Sequence, residues 1–163
     1  MNNYIIFDFN SNSITKKWKI VDDVVMGGKS NGNFDLTADG HGHFWGYVSL
    51  DNNGGFSSVR HQFNSIELNS KTKIIIKIKG DSKKYQFRIK NNKNNFYSYI
   101  FDFQTNGQWQ TLELPLNKFT PSFRGRILSQ PNFNHQKIAE IAFLIANKKN
   151  ESFNLLIDQI YLQ

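Results

Sequence analysis

The chain has 163 residues, no cysteine, a formal charge of +7 and 39% hydrophobic residues. That length suits one domain spanning 1–163, able to bury roughly two thirds of its unfolded surface without covalent staples. The missing cysteines exclude disulfides, cysteine-liganded zinc and a thiol nucleophile. No run approaches the ~20 apolar residues of a membrane-spanning helix. The amino-terminal Met1-Asn2-Asn3-Tyr4-Ile5-Ile6-Phe7-Asp8 has neither a basic start nor an apolar region of signal-peptide length, so a cytoplasmic chain that is not an integral membrane protein is expected. The positive charge raises nucleic-acid binding. Heavy use of Asn, Lys, Ile and Phe throughout explains it without a selected basic surface, so nucleic acid is not the expected partner.

In chain order, the first feature is a pair of glycine loops, Asp22 to Gly32 and Asn52 to Arg60. Each sets paired glycines (Gly27-Gly28, Gly54-Gly55) among polar side chains able to bond their own backbone, which marks shaped loops rather than slack linkers. Strict alternation dominates elsewhere and predicts half-buried strands. Phe44, Gly46, Val48 and Leu50 form one phase, with Trp45, Tyr47 and Ser49 on the other. Ile74-Ile76-Ile78 and Tyr85-Phe87-Ile89 follow, split by a turn at Gly80-Asp81-Ser82, and read as a hairpin. Tyr97, Tyr99, Phe101 and Phe103 share a face; Trp109 opens a strand pointing Leu112, Leu114 and Leu116 inward. Gln136 to Glu140 reads as a short turn before a strand at Ile141 to Ala146. Phe153, Leu155 and Ile157 are out of phase with Ile160 and Leu162, so a one-residue bulge is predicted near Asp158-Gln159. Pro115 and Pro121 exclude a helix through Leu114 to Phe123, and Thr120 to Arg126 reads as an exposed connection. The fold class expected is all-β, a sandwich or barrel without internal repeats.

Tests for chemistry fail one after another. No Gly-x-Ser-x-Gly elbow is present, and the four histidines show no triad spacing. Gly28-Lys29-Ser30 has Asp23 where a phosphate-binding loop needs its first glycine, and no helix follows. His41-Gly42-His43 lacks further zinc ligands and reads as turn residues. Asp22 and Asp23 are adjacent, so in extended chain they point apart and cannot share a proton; capping backbone N–H groups of the loop is the expected role. Asp8 and Asp158 are candidates for a structural calcium that staples the termini, the only cofactor considered. Trp45 and Tyr47, opposite in phase to Phe44, could stack on a sugar. Between Lys71 and Lys93 nine basic residues face one acid, Asp81, which offers an RNA-binding hairpin as a remote alternative.

The two loops, Asp22-Asp23-Val24-Val25-Met26-Gly27-Gly28-x-Ser30-x-Gly32 and Phe44-x-Gly46-x-Val48-Ser49-Leu50-x-Asn52-Asn53-Gly54-Gly55-Phe56-x-Ser58-Val59-Arg60, resemble the signature of the complex I intermediate-associated protein family. The likeness continues through Gly80-Asp81-x-x-x-Tyr85, Trp109-Gln110, Leu114-Pro115, Phe119-x-Pro121-x-Phe123-Arg124-Gly125-Arg126 and Phe153-x-Leu155-x-Ile157. Ser82 stands where a further glycine is common. The resemblance implies a galactose-binding-like jelly-roll sandwich and a non-enzymatic assembly chaperone for NADH:ubiquinone oxidoreductase. Protein partners, respiratory-complex subunits or assembly intermediates, are then expected, with a carbohydrate-binding module as the alternative. The residues expected to bind are Asp22, Asp23, Met26, Gly27, Gly28, Ser30, Trp45, Asn52, Asn53, Gly54, Gly55, Phe56, Arg60, Phe123 and Arg124. Arg60 and Arg124 are either partner anchors or the ion-pair partners of Asp22 and Asp23.

Overall fold

The computed structural model describes residues 3–163. Met1 and Asn2, part of the stretch examined for a signal, lie outside the described residues. Thirteen strands account for most of the regular structure of the described residues: β1 (Tyr4–Asp8), β2 (Trp18–Asp22), β3 (Asn31–Leu36), β4 (Gly42–Val48), β5 (Ser57–Glu67), β6 (Lys73–Lys79), β7 (Lys84–Lys90), β8 (Ser98–Gln104), β9 (Trp109–Pro115), β10 (Thr120–Phe123), β11 (Arg126–Ile127), β12 (Lys137–Ile145) and β13 (Glu151–Leu162). They form two antiparallel sheets. One runs β3-β4-β13-β6-β9 with β1 also on β13; the other runs β11-β10-β8-β7-β12-β5-β2. Between them lies one core, in which the predicted alternation is visible: Ile74, Ile76 and Ile78, then Tyr85, Phe87 and Ile89, are all buried. The chain is an all-β jelly-roll sandwich of the galactose-binding-like type.

β13 organises the six-stranded sheet. Its first half pairs with β4 and its second with β1 on the same side, while β6 runs along the other side. The changeover falls at Asp158, an extra residue between Ile157 and Gln159 where β6 has consecutive Ile78 and Lys77. This is the predicted bulge, and it brings Phe153, Leu155, Ile157, Ile160 and Leu162 all into the core.

Three local expectations are corrected. β6 and β7 belong to different sheets, so Gly80-Asp81-Ser82 is a crossing between layers and the basic hairpin does not exist. Asp81 holds the crossing, accepting from the Tyr85 hydroxyl at 2.9 Å and the Asn154 N–H at 2.8 Å. Thr120 to Phe123 is a strand, not a loop; with β11 it forms a hairpin whose turn residues, Arg124 (φ 49) and Gly125 (φ 78), are both left-handed. Finally, the expected turn at Gln136 to Glu140 is strand from Lys137 onward, where β12 begins, with an irregularity between Ile138 and Glu140.

Candidate functional site

The two glycine loops meet at one end of the sandwich, next to the Asp22–Ser57 pairing of β2 and β5. The first makes a 3-10 turn over Asp23–Met26, closed by Gly27 at φ 89, a left-handed value that favours glycine. The second makes a 3-10 turn over Asp51–Asn53 in which Asn52 and Asn53 take φ 56 and 61. Asn tolerates that region because its short amide bonds locally; here the Asn52 side chain donates to the Gly27 carbonyl at 3.2 Å and ties the loops together.

Asp23 is the centre of this rim. It is fully buried, and its carboxylate accepts from the Ser30 N–H (2.9 Å), the Ser30 hydroxyl (2.5 Å), the Gly55 N–H (2.6 Å) and the Phe56 N–H (3.3 Å). Burial pushes its pKa up, but these hydrogen bonds, led by the Ser30 hydroxyl, outweigh burial and hold it below the ordinary value. The Ser30 hydroxyl in turn accepts from the Ser49 N–H at 2.9 Å. Two glycines exist to admit the carboxylate: a Cβ on Gly28 would lie 2.4 Å from its Cγ, and one on Gly54 2.5 Å from its Oδ2. Asp22 points the other way, accepting from the Gly32 N–H (2.7 Å) and the Ser57 hydroxyl (2.5 Å). The adjacent carboxylates therefore cap two different segments, as alternation requires.

With Asp23 pulled inward, the turn that follows it is pushed out. Val24, Val25 and Met26 are 59%, 74% and 50% exposed. Leu50, on the neighbouring loop, is also exposed. An apolar knob on a pinned base is the main surface feature of this end of the molecule.

The other expected residues do not all join the rim. Neither Arg60 nor Arg124 pairs with Asp22 or Asp23, whose acceptors are taken by N–H and hydroxyl groups, so the ion-pair expectation is corrected. Arg124 is far from the loops. Register carries the loop end from Ser58 through Leu144 and Gln86 to Asp102, whereas Phe123 and Arg126 lie beyond the Ser98–Ser122 pair at the opposite end. There the Arg124 guanidinium sits 5.2 Å from the Phe123 ring, which packs edge-on to Phe96 at 5.0 Å. Arg60 lies on the face of β5 away from the core, opposite Lys19 and Ala142. Trp45 is on the outer face of the six-stranded sheet, stacked on His43 at 4.5 Å, with exposed Tyr47 two residues nearer the rim. His43 is thus a strand residue, bonded to the Asn154 side chain at 3.0 Å, rather than part of a turn.

Asp8 and Asp158 do come close in sequence register, since β1 pairs Asp8 with Gln159. The groups facing the Asp158 carboxylate are His41 (3.3 Å) and the Lys77 ammonium (3.6 Å). A lysine cation beside one carboxylate is not the oxygen-rich shell calcium takes. Among the described residues no group of three or more His, Asp or Glu side chains is placed to hold a metal. None of their helices is long and apolar enough to cross a membrane.

Sequence reasoning missed Ser57 as the second partner of Asp22, and it missed a group of charges on the outer face of the seven-stranded sheet. The signal for the latter was present: Ile138 to Ile145 is apolar on both phases apart from Glu140, the pattern of a strand covered on both faces.

These features define a jelly-roll β-sandwich with a hydrogen-bonded two-loop rim, a fold also used by carbohydrate-binding modules. A family 11 carbohydrate-binding module from Clostridium thermocellum, solved with a β-1,3-1,4-mixed-linked tetrasaccharide, superposes with a TM-score of 0.74 at 18% identity, covering 98% of this chain and 94% of that one. The sequence matches the family model of Complex I intermediate-associated protein 30 (CIA30) over residues 7–157, and the chain belongs to that family. It is 24% identical to the mitochondrial complex I intermediate-associated protein 30 of Drosophila melanogaster over 98% of this chain, spanning 62% of that relative's length. It is 26% identical to an uncharacterized protein of Schizosaccharomyces pombe over 96% of this chain and 82% of that protein.

Proposed function

We propose that the chain is a non-catalytic assembly module that docks protein partners, respiratory-complex subunits or their intermediates, through the glycine-loop rim. The observation that carries this reading is the buried Asp23 carboxylate, which fixes both loops while Val24, Val25 and Met26 stand exposed. Rigid apolar anchors lose little conformational freedom on docking, so their burial converts efficiently into affinity. Family membership supports the same direction. The test is site-specific photo-crosslinking in the native host from position 25 and from Ile127, which is 62% exposed and belongs to the hairpin at the opposite end. Adducts to respiratory-complex subunits from position 25 and not from 127 support the rim; equal adducts, or none from 25, overturn it.

A second reading, carbohydrate binding, rests on the Trp45–His43 stack (interplanar angle 18°) beside exposed Tyr47, a flat aromatic platform on the outer face of the six-stranded sheet. Titration of soluble glycans against tryptophan fluorescence, with Trp45→Ala beside the wild type, separates it from the first. No response across a broad panel removes it.

A further inference from the structure

The seven-stranded sheet has a second face, turned away from the core, that is unusually sheltered. Alternation places Arg60, Ala142 and Arg88 there, since Val59, Phe143 and Phe87 fill the core. On this outer face Ser58 and Glu140 are 0% and 1% exposed, Ala142 2%, Leu144 5% and Lys90 8%. Register fixes the neighbours. Ala142 of β12 stands opposite Arg60 of β5 on one side and Arg88 of β7 on the other; Glu140 stands opposite Gln62 and Lys90. Strands two apart in a sheet are about 10 Å apart. Arg60 and Arg88 therefore flank a single methyl group, with Lys90 next along the same face.

The charges do not balance within this group. Arg60, Arg88 and Lys90 surround one buried carboxylate, Glu140, which accepts from the Gln62 amide at 2.8 Å, while Lys19 and Asp102 on flanking strands of the same face are exposed. Among the described residues, no ion pair involves Arg60, Arg88 or Lys90. Lys90 donates to the Asn95 carbonyl at 2.7 Å, whereas the Arg88 Nε is buried and meets no acceptor. Burial, and then repulsion from Arg60, lower the Arg88 pKa to about 10 against the pull of Glu140. A desolvated guanidinium with an orphaned N–H and like-charged neighbours is unfavourable on its own. An oxyanion would supply the missing acceptor and relieve the repulsion, and the small side chain at 142 leaves it room.

We propose that this face is a binding site for a small oxyanionic ligand, with a carboxylate or phosphate group held between Arg60 and Arg88 above Ala142 and Lys90 alongside. The site lies on the outer sheet face next to the loop end and does not use the exposed Val24-Val25-Met26 turn. The Gln86 amide and the Asp102 carboxylate, paired in the next row of the same face, suit hydroxyl groups of the molecule that carries the anion.

The test is calorimetric titration with inorganic phosphate, glucuronate and glucose 6-phosphate, with neutral glucose as control, at two salt concentrations. Binding of the anions, absent for glucose and weakened by salt, is expected; the ranking of phosphate, glucuronate and glucose 6-phosphate tells a free anion from a charged sugar. Arg60→Gln and Arg88→Gln should each weaken binding by about 10- to 100-fold. Arg88→Gln should leave the ligand-free melting temperature unchanged or higher, since an amide is easier to bury than a guanidinium; a purely structural arginine would give a fall. Ala142→Leu keeps every charge and should abolish binding by filling the floor. No anion binding by the wild type overturns the proposal, as does wild-type affinity in either arginine variant. Should those variants not fold, wild-type affinity in a folded Ala142→Leu protein overturns it equally.

Discussion

Replacing Asp23 by Asn changes one atom type in a fully buried side chain and tests whether the carboxylate is the clamp of the rim. Its Oδ2 takes three donors, from the Ser30 hydroxyl, Gly55 and Phe56, and its Oδ1 takes the Ser30 N–H. The single amide oxygen of Asn best replaces Oδ2. Its NH2 then meets the Ser30 N–H donor to donor, leaving a buried N–H unpaired at about 1–3 kcal/mol. The bonds that survive lose their charge assistance, about half their strength. The sum is about 2–4 kcal/mol; for a chain of this size a loss of about 3 kcal/mol lowers Tm by about 6–12 °C. Urea unfolding at pH 7 measures it. The pH dependence has a definite sign. The folded carboxyl pKa lies below the ordinary value of 3.8, so its contribution is present above that value and fades as pH falls through the lower folded one. The gap between wild type and Asp23→Asn should therefore narrow below about pH 4. A destabilisation under about 1 kcal/mol at pH 7, or a gap that does not change with acid, would refute the clamp.

Gly54→Ala puts a Cβ 2.5 Å from Asp23 Oδ2 and should cost about 1–3 kcal/mol in the same unfolding assay through displacement of the clamp. Val25→Asp, on the 74% exposed tip, should stay within about 0.5 kcal/mol of wild type, which makes it a clean probe of docking. His61 is buried, stacked on Trp18 at 4.8 Å, with its Nδ1 unpaired; burial is the main reason its pKa lies below 6.5. The unfolded chain takes up that proton first, so stability should fall as pH drops below about 6.5. Thermal melts at pH 7 and pH 5.5 should show less of this fall in His61→Phe.

The sandwich was legible because alternation survives in most strands, and the phase slip in β13 was enough to place the bulge at Asp158. Alternation names a strand's faces but not its neighbours, which is why β6 and β7 read as a hairpin although the chain crosses between sheets there. The β10–β11 hairpin was hidden by its turn: Arg124-Gly125 does the work usually given to Asn-Gly, and Pro121 disguised a strand. In the site, the short side chains at Asp22 and Asp23 and the glycines around them pointed to backbone capping, and capping is their role. The ion pairs expected between the arginines and Asp22 or Asp23 did not form because charge alone does not say where a strand lies. Arg60 faces Ala142 across a sheet, and Arg124 stands at the far end of the molecule.

The most direct measurement of the rim's role is an affinity purification from the native host after crosslinking, with wild type, Val25→Asp, Asp23→Asn and Arg124→Glu compared by quantitative mass spectrometry. Respiratory-complex subunits retained by wild type and Arg124→Glu but lost from the two loop variants are the predicted result. Loss in Arg124→Glu with retention in a folded Val25→Asp protein would contradict it and move the docking surface to the opposite end of the sandwich.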